Sequence, residues 1–133
     1  MATMGTQVIA NMRATADLSS YQHWAVSLSG SDNGAAFPTS TTQPMPIGVL
    51  QNTPSTSQAA EVCVLGMTKL KCNTVTDIAC GDLLTLDGSF LGAVTTTASS
   101  QYFARAFEAA TTGCPIIMVM WYGNDGFVGD TVA

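Results

Sequence analysis

The sequence predicts an all-β protein: a single small β-barrel or sandwich domain with an extended N-terminal arm. Three observations carry this. Polar and apolar residues alternate with a period of two in "YQHWAVSLSG", as on a strand with one buried face. Short apolar runs recur between turns rich in Gly, Pro, Asn and Asp, and no stretch sustains helical spacing. In "CGDLLTLDGSFLGAVT", two apolar runs flank Asp87-Gly88, a dipeptide suited to the positive φ of a tight hairpin turn.

Taken in order, residues 1–20 are small and polar without periodicity, and read as a flexible terminus or as an arm that orders on a partner. Residues 21–122 form the β-rich domain. Its first strand places Trp24, Val26 and Leu28 on the core side and Tyr21, His23, Ala25 and Ser27 on the other. The segment "SGSDNGAAFPTSTTQPMP" reads as turn-rich connection. "IGVLQN" and "AEVCVLGMTKLKC" are strands joined by a polar loop, followed by the Asp87-Gly88 hairpin. "QYFARAFEA" and "IIMVMWYG" form a further hairpin across "ATTGCP". Seven or so strands result, closing at Tyr122, with residues 123–133 as a tail.

Composition narrows the function. The chain of 133 residues is 47% hydrophobic and only 10% charged, against a typical charged share of roughly 25%. That is too apolar for disorder, and it leaves little charge to solvate a surface, so part of the surface is expected to be covered by another protein. The net charge is −5, and the cations are Arg13, Lys69, Lys71 and Arg105 alone. Four scattered cations make no phosphate-binding patch, so nucleic acid is not an expected partner. No apolar run approaches the roughly 20 residues of a membrane-spanning helix, and no membrane association is expected. The opening residues lack a basic segment followed by an apolar one, the pattern of a secretory signal, which predicts synthesis in a cytoplasm. There Cys63, Cys72, Cys80 and Cys114 are expected to be free thiols, with Cys63 and Cys114 buried inside apolar runs. No closely spaced cysteine pair suggests a metal.

Catalytic chemistry is poorly supplied. His23 is the sole histidine, and no nucleophile motif accompanies it. Asp82 and Asp87 sit where turns use aspartate for backbone geometry. "YGNDGFVGD" offers Asn124, Asp125 and Asp130 but lacks the alternating acids of a calcium loop. "GDLLTLD" is similar to the barrel of biotinyl and lipoyl carrier domains, yet no lysine stands at the hairpin tip. No cofactor and no enzymatic activity are expected. A small hydrolase is the rival reading.

The ordered set "IGVLQNTP…AAEVCVLGMTKL…IACGDLLTLDG…ARAFEAATTGCPIIMVMWYG" resembles the small capsid decoration, or cement, proteins of tailed bacteriophages. The likeness covers roughly Ile47 to Tyr122. It implies a virion protein made in the bacterial host cytoplasm and carried on the outer capsid surface. There it would bind the major capsid protein as a homotrimer and stabilise the mature head. Another β-type virion component, of tail or fibre, is the alternative. On that reading the functional residues are surface aromatics, which are enriched in interface cores. Tyr21, His23 and Trp24 are the first candidates for partner contact, with the preceding arm. Trp121 and Tyr122 come second, although Trp121 also suits a barrel core.

Overall fold

The computed structural model describes residues 7–38, 46–87, 89–95 and 101–127. Among these residues there are nine strands and no helix. In chain order they are β1 (Gln7–Ala14), β2 (Ala25–Leu28), β3 (Gly34–Ala36), β4 (Pro46–Leu50), β5 (Ala59–Lys71), β6 (Leu83–Leu86), β7 (Gly92–Val94), β8 (Gln101–Ala106) and β9 (Ile116–Phe127). No described helix is long and apolar enough to cross a membrane.

Five of the strands close on themselves. The ring runs β1-β3-β2-β4-β5 and returns to β1 through an antiparallel β1–β5 pairing. The one parallel junction in it joins β1 to β3. A closed ring leaves no open strand edge, and a ring this narrow is filled by side chains. Met12, Leu18, Val26, Leu50, Ala60 and Val62 fill it. Along β5, Ala60, Val62 and Val64 face this interior, as the two-residue period of a strand requires.

The remaining strands extend the sheet from β5 in the order β9-β8-β6-β7. They enclose a second core with Leu70, Ile78, Leu84, Phe103, Val119 and Trp121, closed on the barrel side by Ala25 and Val49. The 13-residue β5 belongs to both halves. Up to Gly66 it pairs with β1 and β4, and from Gly66 to Lys71 it pairs with β9. Gly66 has φ +118°, a backbone conformation closed to most other residues, and it stands where the strand changes partners. A second glycine is demanded by packing. A Cβ on Gly48 would lie 2.4 Å from the Cys63 carbonyl oxygen and 2.5 Å from a Val62 methyl.

Several sequence expectations are corrected here. The segment 1–20 contains β1, whose Arg13 to Gln7 pair with Ala59 to Gly66, and Leu18 lies in the barrel core. It is therefore part of the barrel from Gln7 onward; residues 1–6 lie outside the described set. Two of the three inward side chains of β1, Ala10 and Ala14, are small, and its aliphatics Val8 and Ile9 are exposed, so no clear apolar alternation announces the strand. Leu28 is 46% exposed and Ser27 is buried. The cause is that β2 is covered on both faces, Val26 in the barrel and Ala25 in the second core, so simple alternation does not apply. The hairpin at residue 87 joins β6 to β7 as predicted, but through a longer loop. Asp87 Oδ1 accepts from the Ser89 and Leu91 amides, and among the described residues of the loop Phe90 has positive φ, at +64°. Gly88 lies outside the described residues. Finally, β9 runs past Tyr122 to Phe127, taking in the backbone of Asn124 and Asp125; Asp130 lies outside the described residues.

Candidate functional site

The loop between β1 and β2 is built from successive turns. Asp17 Oδ1 accepts from the Ser19 amide at 3.1 Å, Tyr21 N donates to Leu18 O, and Trp24 N donates to Tyr21 O. Between these aromatics His23 takes φ +68°, uncommon for a residue with a side chain. Two main-chain bonds hold it there: its N–H donates to Leu50 O at 2.7 Å and its carbonyl accepts from Lys71 N at 2.9 Å. The second bond occupies the edge of β5 opposite β9. A conformation of this kind costs about 1–3 kcal/mol and persists only where the surroundings impose it.

The result is a cluster of four half-buried rings. Tyr21 and Trp24 meet edge-on at 5.5 Å between centroids. Phe37, just beyond β3, lies 4.6 Å from Tyr21 and 5.6 Å from Trp24. Phe90, at the tip of the β6–β7 hairpin, lies 5.4 Å from Phe37. The Lys71 ammonium sits 5.8 Å above the Trp24 ring, within cation–π range. Three separate loops thus converge on one apolar, partly solvated surface. Two of the residues beside or in it, His23 and Phe90, hold left-handed backbone. Such a surface suits contact with another protein, because rigid aromatics give large contact area at little entropic cost.

His23 itself is half-buried, and its Nδ1 has no hydrogen-bond partner. Burial, and secondarily the nearby Lys69 charge, push the imidazole below its ordinary pKa, so it is neutral at pH 7. The carboxylates do structural work: Asp82 Oδ2 accepts from Ala79 N, Asp87 Oδ2 from Asn73 Nδ2, and Glu108 Oε1 from Met118 N. Among the described residues no three His, Cys, Asp or Glu side chains are grouped to hold a metal.

Of the predicted contact residues, Tyr21, His23 and Trp24 are brought together. Trp121 is not a contact residue. It is fully buried, stacked on Phe103 at 5.6 Å, with Nε1 3.4 Å from Ile47 O. It shares strand parity with Ile117 and Val119, which face the same core. Tyr122 points the opposite way, is 41% exposed and meets Tyr102 edge-on at 6.2 Å, on a different surface. Phe37, Phe90 and Lys71 were missed. The available signal was a large apolar residue in a turn, in "AAFP" and "DGSF". All four cysteines are free, with Cys63 and Cys72 buried; Cys114, expected inside, is exposed, as is Cys80. The turn "TTGC" keeps Cys114 outside before β9 begins.

No family model matches this chain, and no curated protein does. Among solved structures, it is similar to the head fiber gp8.5 N base of bacteriophage phi29. The TM-score is 0.61 at 18% identity, over 90% of this chain and 98% of that one. At that identity the likeness is one of fold. It places the nine-strand, all-β architecture beside that of a virion protein.

Proposed function

We propose that the protein is a structural component of a bacteriophage virion, bound to the outer surface of the head as a homotrimer. The observation that carries this is the fold likeness to a head fiber base over almost that protein's entire length. The decoration-protein resemblance of the sequence leads independently to the same place. The aromatic cluster of Tyr21, Trp24, Phe37 and Phe90 is the surface that meets the major capsid protein. Each contact is modest, but an oligomer that engages several capsid subunits at once gains avidity without new contacts. A stable interface of about 1,200–2,000 Å² in total is within reach of a domain this size. In this reading the protein clamps neighbouring capsid subunits and raises the temperature at which the head opens, since a ligand stabilises the state it binds.

The fiber base of the similar structure favours a second role on the same surface, that of a pedestal for a projecting part. Heads of the encoding phage lacking the protein separate these. Added protein should bind and raise the temperature of DNA release if it is a cement, and bind without protection if it is a pedestal. A Trp24→Ala/Phe37→Ala variant should fold yet bind at least tenfold more weakly, the loss of about 1.4 kcal/mol. Failure of the unsubstituted protein to bind heads would overturn the proposal. Turnover of ester, peptide or glycoside substrates by the purified protein would revive the hydrolase reading.

A further inference from the structure

The main chain at His23 fastens one loop to both halves of the molecule. Its N–H donates to Leu50 O, at the end of β4 in the barrel wall. Its carbonyl accepts from Lys71 N, where β5 pairs with β9 in the other half. It makes these bonds at φ +68°. Tyr21 and Trp24 flank it, and Trp24 O accepts from Leu50 N, so the tryptophan hangs on the same fastening. Through Phe37 these two rings meet Phe90. The placement of all four rings is thus tied to how His23 is seated.

The side chain is seated for one charge state. Nδ1 is enclosed and meets no hydrogen-bond partner. An imidazolium carries a proton on both nitrogens, so ionisation would leave an enclosed, unpaired donor on a charged ring. The surrounding charges offer no relief. β5 contributes Lys69, which acts on the ring, and Lys71, whose ammonium lies over Trp24. β4 contributes none, since Pro46–Leu50 is uncharged. In the loop itself, Asp17 is exposed and accepts from the Ser19 amide. On the β6–β7 hairpin, Asp87 is held by Asn73, Ser89 and Leu91. Among the described residues no carboxylate acts on the imidazole; burial first, then Lys69, favour the neutral ring. A charged ring is better solvated turned out into water. Once it leaves, the packing that imposes the left-handed backbone goes with it, and such a conformation persists only where it is imposed.

We propose that His23 is a proton-operated latch: uptake of a proton turns the ring out, undoes its bonds to Leu50 and Lys71, and lets Tyr21 and Trp24 part from Phe37 while both cores stay folded. The latch deepens the proposed function, and rests on it, by regulating the surface assigned there to the capsid. The closed form takes up a proton less readily than the open one. Closure is therefore fully favoured above the open form's ordinary value, about 6.5, and is lost progressively as the pH falls below it. The protein holds the head at neutral pH and lets go in mildly acidic surroundings.

Nuclear magnetic resonance of the full chain tests the latch without heads, over about pH 7.5 to 5.5, where imidazole titrates. The His23 ring, the Trp24 indole and the Lys71 amide should shift with one common midpoint, while the Trp121 indole and the Val119 amide stay in place. Trp24 and Lys71 signals that ignore the His23 titration would overturn the inference. So would loss of the Val119 signal at the same midpoint, the mark of global unfolding. In His23→Asn, which tolerates positive φ, the Trp24 and Lys71 signals should stay still; if they move as before, His23 is not the latch. Heads lacking the protein supply the second arm. The unsubstituted protein should bind about fivefold or more weakly at the acid end, the lower end of ordinary coupling between sites, and His23→Asn equally at both ends. Equal binding by the unsubstituted protein at both ends, or an equal loss in the variant, would overturn the release. A protein that titrates as described but never binds heads keeps the latch and removes the head reading. One that binds heads while its Trp24 and Lys71 signals stay still does the reverse.

Discussion

Replacing Trp121 by alanine separates a core role from an interface role. The indole is fully buried, stacks on Phe103 with planes 20° apart, and approaches the β4 carbonyl of Ile47 at 3.4 Å. It therefore ties the second core to the barrel wall. Truncating a buried aromatic of this kind costs about 3–5 kcal/mol, through lost transfer energy and the cavity left behind. Against a total stability of about 5–15 kcal/mol, that removes a large share of the margin. For a chain of this length, 1 kcal/mol corresponds to roughly 4 °C. Trp121→Ala should thus melt about 12–20 °C lower in thermal unfolding followed by far-UV circular dichroism. Trp121→Phe, which keeps a ring against Phe103, should recover much of the loss. If Trp121→Ala melts within about 2 °C of the unsubstituted protein, the indole is not packed as described. If it keeps its melting temperature but loses self-association or head binding, the indole belongs to an interface after all.

Other expectations follow from single positions. Gly48→Ala should destabilise by about 1–3 kcal/mol, since the added methyl meets the Cys63 carbonyl and only backbone movement can relieve it; a urea midpoint equal to that of the unsubstituted protein would contradict this. His23 is held neutral, its folded pKa below that of the unfolded chain. Between the two values the unfolded chain binds more protons, so stability should fall as pH drops below about 6.5. His23→Asn, which tolerates the left-handed backbone, should flatten that dependence in melting curves taken from pH 7.5 to 5.5 (about the range where imidazole titrates). Cys72, pushed up to about 12 by burial and then by Asp87, should resist a thiol reagent, as should buried Cys63. Two thiols, Cys80 and Cys114, should react in the native protein and four only after unfolding; four fast thiols would show that the cores open readily.

How much of this was legible depends on where each strand sits. The β6–β7 and β8–β9 hairpins announce themselves because one face of each is buried under large residues such as Leu84, Phe103 and Val119. β1 and β3 do not, because their buried side chains are mainly Ala10, Ala14, Ala35 and Met12, and closure of the barrel rather than side-chain bulk gives them their place. β2 misleads, because Ala25 and Val26 each meet a core on opposite faces and only Leu28, at its end, reaches solvent. For the site, the tryptophan and tyrosine at 21–24 were visible as aromatics outside a strong core pattern. Phe37 and Phe90 lie 53 residues apart and meet only once the β6–β7 hairpin folds over the end of β3. Parity along "IIMVMWY" separates Trp121 from Tyr122, but only when Ile117 and Val119 are known to face inward.

The passage of β5 through both halves bears on how the molecule carries mechanical load. β1 and β9 flank β5 and both run antiparallel to it, and they meet its register at one residue, Gly66, through Gln7 and Trp121. Tension applied between the first and last strands is therefore transmitted across β5 along the strand axes. The hydrogen bonds of the β1–β5 and β5–β9 ladders lie across that axis, so they resist as a group instead of peeling one by one. A strand wedged this way yields only when a whole ladder slips. Pulled from its first and last strands, the molecule should behave as a rivet, rigid up to a single abrupt rupture.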